Sequence, residues 1–345
     1  MTPERFQAVV SRFAGLRIAV VGDFCLDRYL EIDPEKAETS IETGLPVHNV
    51  VRVRAQPGGA GTVVNNLAAL GVGRVEVVGV RGDDGEGFEL QRALEAMPGV
   101  SIQHLVIAPE RRTFTYCKPL VLEPGREPVE LNRLDSKNWT PTPKSIETRL
   151  IEALRTVASL SDAVIALEQV DEAETGVITR GLLEAMDSLT DEHPRLTILA
   201  DSRRGLADWP SVGFKMNEVE LAAMLGRPNA AESLEAVKQA AAELTAQTTK
   251  PVFVTLAERG IVAARGSEVV HVPALPVRGP IDVVGAGDSV TANLAAALAA
   301  EATLREAVEL AIAASSVVIH QLGATGTATI DDLARFAINA DETTA

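Results

Sequence analysis

A short glycine-containing segment late in the chain has the residue types of a phosphoryl-transfer site. It reads Asp282-Val-Val-Gly285-Ala286-Gly287-Asp288, and the alanine-rich stretch after it predicts a helix that begins at this segment. Glycines let the backbone turn tightly enough for several N–H groups to converge, and the positive end of a helix adds to the attraction for an anion. The segment therefore predicts an anion site to which Gly285, Ala286 and Gly287 contribute backbone.

Asp288 is the residue in this segment that we predict to act as a general base. A carboxylate beside a bound anion is repelled by it, so its presence needs a chemical reason. Accepting the proton of an attacking hydroxyl is such a reason, while neighbouring N–H groups hold the transferring phosphoryl group. An aspartate near a helix start is on its own more often a cap. The two glycines and the outer Asp282 favour catalysis.

Other nucleotide-binding motifs are missing from the sequence. No lysine follows a glycine, so there is no Walker A loop, and the pairs Gly59-Ala-Gly61 and Gly71-Val-Gly73 lack the third glycine of a dinucleotide fingerprint. A dehydrogenase is therefore a weak alternative. A protein that binds a sugar phosphate or nucleotide without catalysis is a second alternative, and Asp288 argues against it because a binder gains nothing from a carboxylate that repels anions.

The composition is that of a globular protein from a reducing compartment. Hydrophobic residues make up 46% of the 345 residues, which suffices for a core. At roughly 150 residues per domain two domains would fit, but we expect a single α/β domain over residues 1–345. We find no secretory signal and no apolar run long enough for a membrane span. Cys25 and Cys117 make no disulfide framework, which favours the cytoplasm.

The formal net charge of −16 argues against a nucleic-acid partner, because such a surface must neutralise phosphates with clustered Lys and Arg. A small phosphorylated ligand is still compatible with this charge, since a pocket can be locally basic on an acidic protein. The candidates for local positive charge are Arg28, Arg52, Arg54, Arg111, Arg112, Lys118 and Arg133. Each of them is by default a solvated surface residue.

Short β-branched runs alternate with longer helix-like segments, which is the pattern of a parallel sheet covered by helices on both faces. The predicted strands are 17–22, 75–80, 163–167, 196–200, 252–256 and 269–273. The predicted helices are 62–70, 85–97, 145–160, 175–189, 218–225, 233–246, 288–300 and 304–320. Ligands of such sheets bind beyond the carboxyl ends of the strands.

Two stretches interrupt this alternation, at residues 29–54 and 100–133. They are rich in Val, Thr and Pro and predict antiparallel strands without helices. We expect them to form a small β-sheet that projects over the ligand site as a lid. Edge strands or an oligomer contact are equally compatible with the pattern, and an exposed sheet of this kind favours a homodimer.

The late segment resembles the D-x-x-G-A-G-D signature of the ribokinase-like (PfkB) family of carbohydrate kinases. Four further elements match that family in order along most of the chain. They are the run from Val20 to Tyr29, the di-glycine segment from Pro57 to Gly61 with its following helix, Lys215-Met-Asn217-Glu218-Val-Glu220, and Thr255-Leu-Ala-Glu258-Arg-Gly260. The resemblance implies a ribokinase-like fold and transfer of phosphate from ATP to a sugar hydroxyl.

The resemblance also implies roles for residues in each of these elements. Substrate would contact Asp23, Asp27, Arg28, Gly58, Gly59 and Asn66. The nucleotide would be bordered by Asp201, Lys215, Asn217, Thr255, Glu258 and Gly260. Glu220 would order the water shell of the Mg²⁺ that accompanies ATP, and Asp282 would help to hold a monovalent cation such as K⁺. Without the family, the two early aspartates read as turn and cap residues and Asn217 as a helix N-cap.

Within the family, the chain most resembles kinases that phosphorylate D-glycero-D-manno-heptose 7-phosphate at its anomeric oxygen. The implied substrate is that sugar phosphate or a related one, ahead of a free sugar or a nucleoside, and Arg28 with Arg52, Arg54 or Lys118 would clamp its phosphate. The resemblance extends only to the kinase half of a fused bifunctional enzyme. The chain departs from the family pattern at Thr62, Glu168 and Ile312, chiefly around the substrate and the adenine.

Overall fold

The structure is a computed structural model that describes residues 1–323 and 325–338. The described strands are β1 (Arg17–Gly22), β2 (Phe24–Ile32), β3 (Glu38–Thr39), β4 (Pro46–Val47), β5 (Val50–Gly59), β6 (Arg74–Gly82), β7 (Val100–Ala108), β8 (Thr115–Val121), β9 (Val129–Glu130), β10 (Ala163–Glu168), β11 (Thr197–Ser202), β12 (Gly213–Asn217), β13 (Val252–Thr255), β14 (Ile261–Arg265) and β15 (Glu268–Val272). The described helices are α1 (Pro3–Val10), α2 (Ala60–Ala69), α3 (Gly85–Glu95), α4 (Lys144–Ala158), α5 (Arg180–Glu192), α6 (Glu218–Met224), α7 (Leu234–Thr248), α8 (Ala286–Ala299), α9 (Leu304–Val318) and α10 (Ile330–Ala337).

A large sheet forms the centre of the described residues, with the strand order β15-β14-β13-β12-β11-β10-β1-β6-β7. The neighbouring strands β13, β12, β11, β10, β1, β6 and β7 all run parallel. At the other edge, β14 pairs antiparallel with β13, and β15 pairs antiparallel with β14. Successive residues of β1 point to opposite faces, so Ile18 and Val20 join one core cluster while Ala19 and Val21 join the other. The prediction of a mainly parallel sheet with helices on both faces is confirmed.

Each face of the sheet has its own set of helices. Residues of α1, α2, α3, α8, α9 and α10 build the cluster on one face, and residues of α4, α5, α6 and α7 build the cluster on the other. Because both faces are covered, the central strands are almost wholly apolar; all six residues of β10 are buried. In the described residues no helix is both long enough and apolar enough to cross a membrane.

A smaller sheet with the order β5-β2-β8-β9 stands beside the central one. Strand β2 starts at Phe24, directly after β1 ends at Gly22, so the chain passes from one sheet into the other within two residues. Two details of the predicted lid are wrong. Residues 100–108 form β7, an edge strand of the central sheet, and β2 pairs with β8 in parallel. Residues 109–114 link β7 to β8, and these two strands belong to different sheets.

The carboxyl ends of the central strands meet at one edge, next to the small sheet. This edge carries Asp23 after β1, Asp201 near the end of β11, Asn217 at the end of β12 and Thr255 at the end of β13. Helix α8 packs on β10 and β11 and begins at the same edge. The topology therefore gathers residues that are far apart in sequence around the segment that precedes α8.

Candidate active site

The turn before α8 has the conformation that an anion site requires. Gly285 is left-handed, with φ 80° and ψ −4°, a conformation that favours glycine, and α8 starts at the next residue. The N–H of Ala286 donates to the carbonyl of Val283 at 3.2 Å. The N–H groups of Gly287 and Asp288 lie in the first helical turn, where they have no acceptor within the helix. This geometry is compatible with an anion site, and the predicted contribution of Gly285, Ala286 and Gly287 to it stays a prediction.

Lys215 brings a positive charge to this turn. Its Nζ lies 3.1 Å from the place that a Cβ would take on Gly287, so the glycine leaves room for the ammonium group. The Nζ is 2.8 Å from Asp201 Oδ2, and Thr291 Oγ1 donates to the same oxygen at 3.0 Å. Burial alone would lower the pKa of Lys215, but Asp201 and Asp288 outweigh it and raise that pKa. The lysine is therefore a fixed cation beside the helix start.

Asp288 is half-buried in the first turn of α8. Burial and the negative charges of Asp201 and Asp27 raise the pKa of its carboxyl group, Lys215 opposes them, and the net pKa is about 7 instead of 3.8. A general base works best when its pKa lies near the operating pH. A pKa near 7 suits the general base that the sequence predicts at Asp288, and that role stays a prediction.

Asp27 approaches the same site from the small sheet. It is 6% exposed, and burial raises the pKa of its carboxyl group while Lys118, whose Nζ lies 3.8 Å from Oδ1, opposes that shift. A Cβ on Gly58 would lie 2.6 Å from Asp27 Oδ2. On Gly59, whose φ is 57°, a Cβ would lie 2.6 Å from the carbonyl oxygen of Asp23. Both glycines are thus needed for the close approach of β5 to the carboxylate-bearing segment.

Two predicted substrate residues lie behind the cleft. The carboxylate of Asp23 accepts hydrogen bonds from the N–H groups of Val177 at 2.6 Å and Gln169 at 2.8 Å, and burial raises its pKa to about 6. Asn66 is fully buried, and its Nδ2 donates to the carbonyl of Thr62 at 3.0 Å. Asp23 therefore ties the loops that follow β1 and β10 together, and Asn66 supports α2 from inside.

Arg28 lies on the other face of the small sheet. Its guanidinium contacts Glu86 and Glu89 of α3 at 3.4 Å each, whereas the neighbouring Asp27 points toward Lys118. Alternation along β2 separates the two side chains. The strand register places Arg52, Arg54 and Lys118 on the Asp27 face of the small sheet. The prediction that Arg28 joins them in a phosphate clamp is therefore wrong.

Asn217 and Glu220 form a capping box at the start of α6. Asn217 Oδ1 accepts from the N–H groups of Val219 and Glu220 at 2.9 Å each, and Glu220 Oε2 accepts from the N–H of Asn217 at 2.7 Å. Burial and the charge of Asp201 raise the pKa of Glu220, so a cation there would be stabilised. The described residues contain no group of three or more potential metal ligands. A role for Glu220 toward the hydrated Mg²⁺ of ATP fits this carboxylate and stays a prediction.

The remaining residues that were predicted to border the nucleotide or to hold K⁺ lie at the end of β13 or in loops. Thr255 Oγ1 donates to the carbonyl of Met216 at 3.3 Å, and Glu258 is exposed in the turn after β13. Gly260 has φ 92°, and a Cβ there would lie 2.0 Å from the carbonyl oxygen of Val272. Asp282 accepts from the N–H groups of Val284 at 3.0 Å and Gly323 at 3.3 Å. Contacts of these residues with ATP or K⁺ remain predictions.

The positions that depart from the family pattern lie in different surroundings. Thr62 is 1% exposed, and its Cγ2 lies 3.5 Å from the place of a Cβ on Gly285, so it borders the phosphoryl site more closely than the sequence suggested. Glu168 accepts from Ser202 Oγ at 2.5 Å and from Arg204 at 3.0 Å. Ile312 is 7% exposed and belongs to the core between α9 and the sheet.

Tyr116 lies beside Asp27 and was not among the predicted site residues. It pairs with Asp27 across the β2–β8 ladder, its hydroxyl accepts from Arg203 at 3.1 Å, and Arg133 stacks on its ring at 4.5 Å. Burial raises its pKa to about 12. In the sequence, Tyr116 and Lys118 alternate with apolar residues, which could have indicated that they share one face of a strand. Only the pairing of β8 with β2 shows that this face is the one that carries Asp27.

Comparison with known proteins agrees with this geometry. The description "pfkB family carbohydrate kinase" matches residues 16–331. Two relatives named bifunctional protein HldE are similar to the chain. The one from Hyphomonas neptunium is 34% identical over 328 residues, and the one from Gluconobacter oxydans is 31% identical over 340. These alignments cover 94% and 92% of this chain and 64% of each relative, so the chain spans less than two thirds of their length.

Solved structures share the fold at low sequence identity. Phosphofructokinase-2 from Escherichia coli, solved with substrates and products, gives a TM-score of 0.72 at 20% identity and covers 94% of this chain and 99% of its own. Ribokinase from Arabidopsis thaliana, solved with ribose and ATP, gives 0.63 at 17% identity, with 93% and 98% covered. The predicted ribokinase-like fold is confirmed. With the match over residues 16–331, the chain belongs to the pfkB family of carbohydrate kinases.

Proposed function

We propose that this chain transfers the γ-phosphoryl group of ATP to a hydroxyl of a sugar phosphate, with Asp288 as general base. The observation that carries the proposal is the placement of a carboxyl group of pKa about 7 at the start of α8, beside Lys215. Asp288 takes the proton of the hydroxyl as it attacks. Lys215 and the N–H groups of Gly287 and Asp288 stabilise the charge on the transferring phosphoryl oxygens.

The sugar lies between Asp27 and Asp288 in this proposal. Asp27 accepts hydrogen bonds from its hydroxyls, and Gly58 keeps the backbone from blocking that carboxylate. The two carboxylates are close enough to interact, since the charge of Asp27 raises the pKa of Asp288. This coupling supports one shared cavity in which the acceptor hydroxyl faces the base.

Mg²⁺ that enters with ATP supplies charge neutralisation at the phosphates. The carboxylate of Glu220, whose pKa is raised by burial and by Asp201, is the group that would orient its water shell. Asp282, which joins the turn before α8 to Gly323, is the group placed to support a K⁺ ion.

A phosphorylated acceptor is favoured by the cations on the Asp27 face of the small sheet. Lys118 contacts Asp27, Arg133 stacks on Tyr116, and the positive charges of Lys118 and Arg133 both lower the pKa of Asp27. Two such cations are suited to a phosphate at the far end of the sugar. The sequence resemblance names D-glycero-D-manno-heptose 7-phosphate as the specific candidate.

A free sugar is the alternative acceptor, because both cations already have acidic partners. Lys118 is 3.8 Å from Asp27, and Arg133 donates to Asp135 at 2.8 Å. A panel of sugars and their phosphates with ATP, read by ADP release, separates the two. We expect Lys118→Met to raise KM about 10-fold or more for the sugar phosphate and less than about 3-fold for the free sugar, since a charged hydrogen bond contributes about 1.5–3 kcal/mol. Equal changes for both would refute the phosphate clamp.

We also propose a cytoplasmic homodimer that uses the small sheet. Val50, Val53 and Leu134 expose 43%, 45% and 66% of their surface on or beside this sheet, and an apolar partner would cover them. Light scattering should give twice the mass of one chain at micromolar concentration. Val53→Lys should shift the mass toward that of one chain. If the unaltered protein had the mass of a single chain, the proposal would be contradicted.

A further inference from the structure

A single threonine connects the small sheet to the turn before α8. Gln56 of β5 donates its Nε2 hydrogen to Thr325 Oγ1 at 2.7 Å, although the two residues are 269 positions apart. Thr325 lies between α9 and α10 and is 8% exposed, so water competes little for this hydrogen bond. The contact therefore joins β5 of the small sheet to the loop between α9 and α10.

The other side of Thr325 supports Gly285. Its Cβ and Cγ2 each lie 3.3 Å from the place that a Cβ would take on Gly285, the left-handed residue from which α8 begins. Nearby, Gly323 donates its N–H to Asp282 at 3.3 Å. The loop between α9 and α10 thus contacts both ends of the segment from Asp282 to Gly285, through Gly323 and Thr325.

The lid end of the connection is next to the sugar carboxylate. Gln56 pairs with Asp27 across the β2–β5 ladder, so fixing Gln56 also fixes the backbone of Asp27. At the other end, Asp288 lies in the first turn of the helix that starts after Gly285. A path of three contacts, from Asp27 through Gln56 and Thr325 to Gly285, therefore connects the sugar side to the start of the helix that carries the base.

We propose that Gln56 and Thr325 are positioning residues that hold the sugar-binding strand at a fixed distance from the general base. The inference rests on the proposed function, because it assigns the spacing of the two carboxylates a role in phosphoryl transfer. The spacing matters since a misplacement of about 1 Å between reacting groups can cost about 10²-fold in rate. Gln56 and Thr325 need not touch either substrate for this effect.

Matched variants separate the hydroxyl from the shape of Thr325. Thr325→Val keeps the methyl group beside Gly285 but removes the acceptor for Gln56, whereas Thr325→Ser keeps the acceptor. We expect Thr325→Val and Gln56→Leu each to lower kcat about 10-fold, with KM for ATP changed less than about 3-fold, because the loss is one of alignment. Thr325→Ser should retain at least half of kcat, and Gln103→Leu, an exposed glutamine on β7, serves as the control.

The double variant Gln56→Leu with Thr325→Val tests whether the two residues act as one unit. We expect its kcat to match that of the slower single variant within about 2-fold, since the effects of two substitutions in one contact are not additive. Multiplied effects of about 100-fold, or single variants with unchanged kcat, would overturn the inference.

Amide hydrogen exchange provides a readout that does not depend on turnover. In the full chain, Gln56→Leu and Thr325→Val should speed exchange of the peptide 283–289 several-fold, while Thr325→Ser and Gln103→Leu leave it unchanged. Unchanged exchange in the first two variants would refute the connection. If the unaltered chain phosphorylated no sugar, the proposed function would fail, and the exchange result would still decide whether Gln56 and Thr325 hold the turn.

Discussion

Replacing Asp288 with asparagine should raise stability and at the same time lower turnover by orders of magnitude. The change removes a charge but keeps the shape. Burial and the nearby carboxylates raise the pKa of Asp288 from 3.8 to about 7, which means that the folded protein holds a charged Asp288 at a cost. One pKa unit corresponds to 1.36 kcal/mol, so the charged form costs up to about 4 kcal/mol relative to the unfolded chain.

The sign follows from proton linkage. Between about pH 4 and pH 7 the folded state binds more protons at Asp288 than the unfolded state, so this group lowers stability progressively as pH rises through that range. Asparagine removes the dependence. We expect Asp288→Asn to be more stable than the unaltered chain by up to about 4 kcal/mol at pH 8.5, and by much less at pH 5.

Urea denaturation at both pH values measures the stability difference, and a coupled ADP-release assay measures turnover. Loss of a positioned base typically costs about 10²–10⁴-fold in rate. In the unaltered chain, kcat/KM should fall about tenfold per pH unit below pH 7, because only the charged form of Asp288 accepts a proton. The control is Asp187→Asn, an exposed position on α5, which should change neither quantity. Near-full turnover in Asp288→Asn, or equal stability at pH 8.5, would refute the reasoning.

Three further changes test separate parts of the site. Lys215→Met removes the cation that lowers the pKa of Asp288, so the pH profile of kcat/KM should move to higher pH and turnover at pH 7 should fall at least about 10-fold; an unmoved profile would count against this electrostatic effect of Lys215 on Asp288. Gly58→Ala places a Cβ 2.6 Å from the carboxylate of Asp27, so KM for the sugar should rise about 10-fold while KM for ATP stays within about 2-fold, and a rise in both would point to general damage. Ala257→Gly relieves a φ of 49° in the turn after β13 and should stabilise the fold by about 0.5–1 kcal/mol in urea denaturation; destabilisation would show that this turn is not strained.

Local signals explain why the centre of the site could be predicted from the sequence. The turn at Gly285, the start of α8 and the position of Asp288 all depend on residues within one short segment. Buried parallel strands were also recognisable, because a strand covered on both faces is apolar throughout, as β10 is. Lys215 was assigned to the site only through the family resemblance, since its approach to Gly287 depends on the pairing of separate strands.

Features that depend on the register of distant strands were not predictable. Arg28 was expected beside Lys118, but alternation on β2 turns it toward α3. Residues 100–108 have the composition of the lid strands, and only their pairing with β6 places them in the central sheet. Thr62 borders Gly285 because α2 and α8 pack against each other and start at the same edge of the central sheet. This contact depends on tertiary packing, so no local sequence pattern predicts it.

The most direct test of the account is product analysis with the unaltered chain, Mg²⁺, ATP and a panel headed by D-glycero-D-manno-heptose 7-phosphate. Phosphorus NMR should show one sugar bisphosphate formed for each ADP released, and Asp288→Asn should form neither at a comparable rate. ADP release without a phosphorylated sugar, or tight ATP binding with no product from any sugar or sugar phosphate, would contradict the claim that Asp288 activates a sugar hydroxyl.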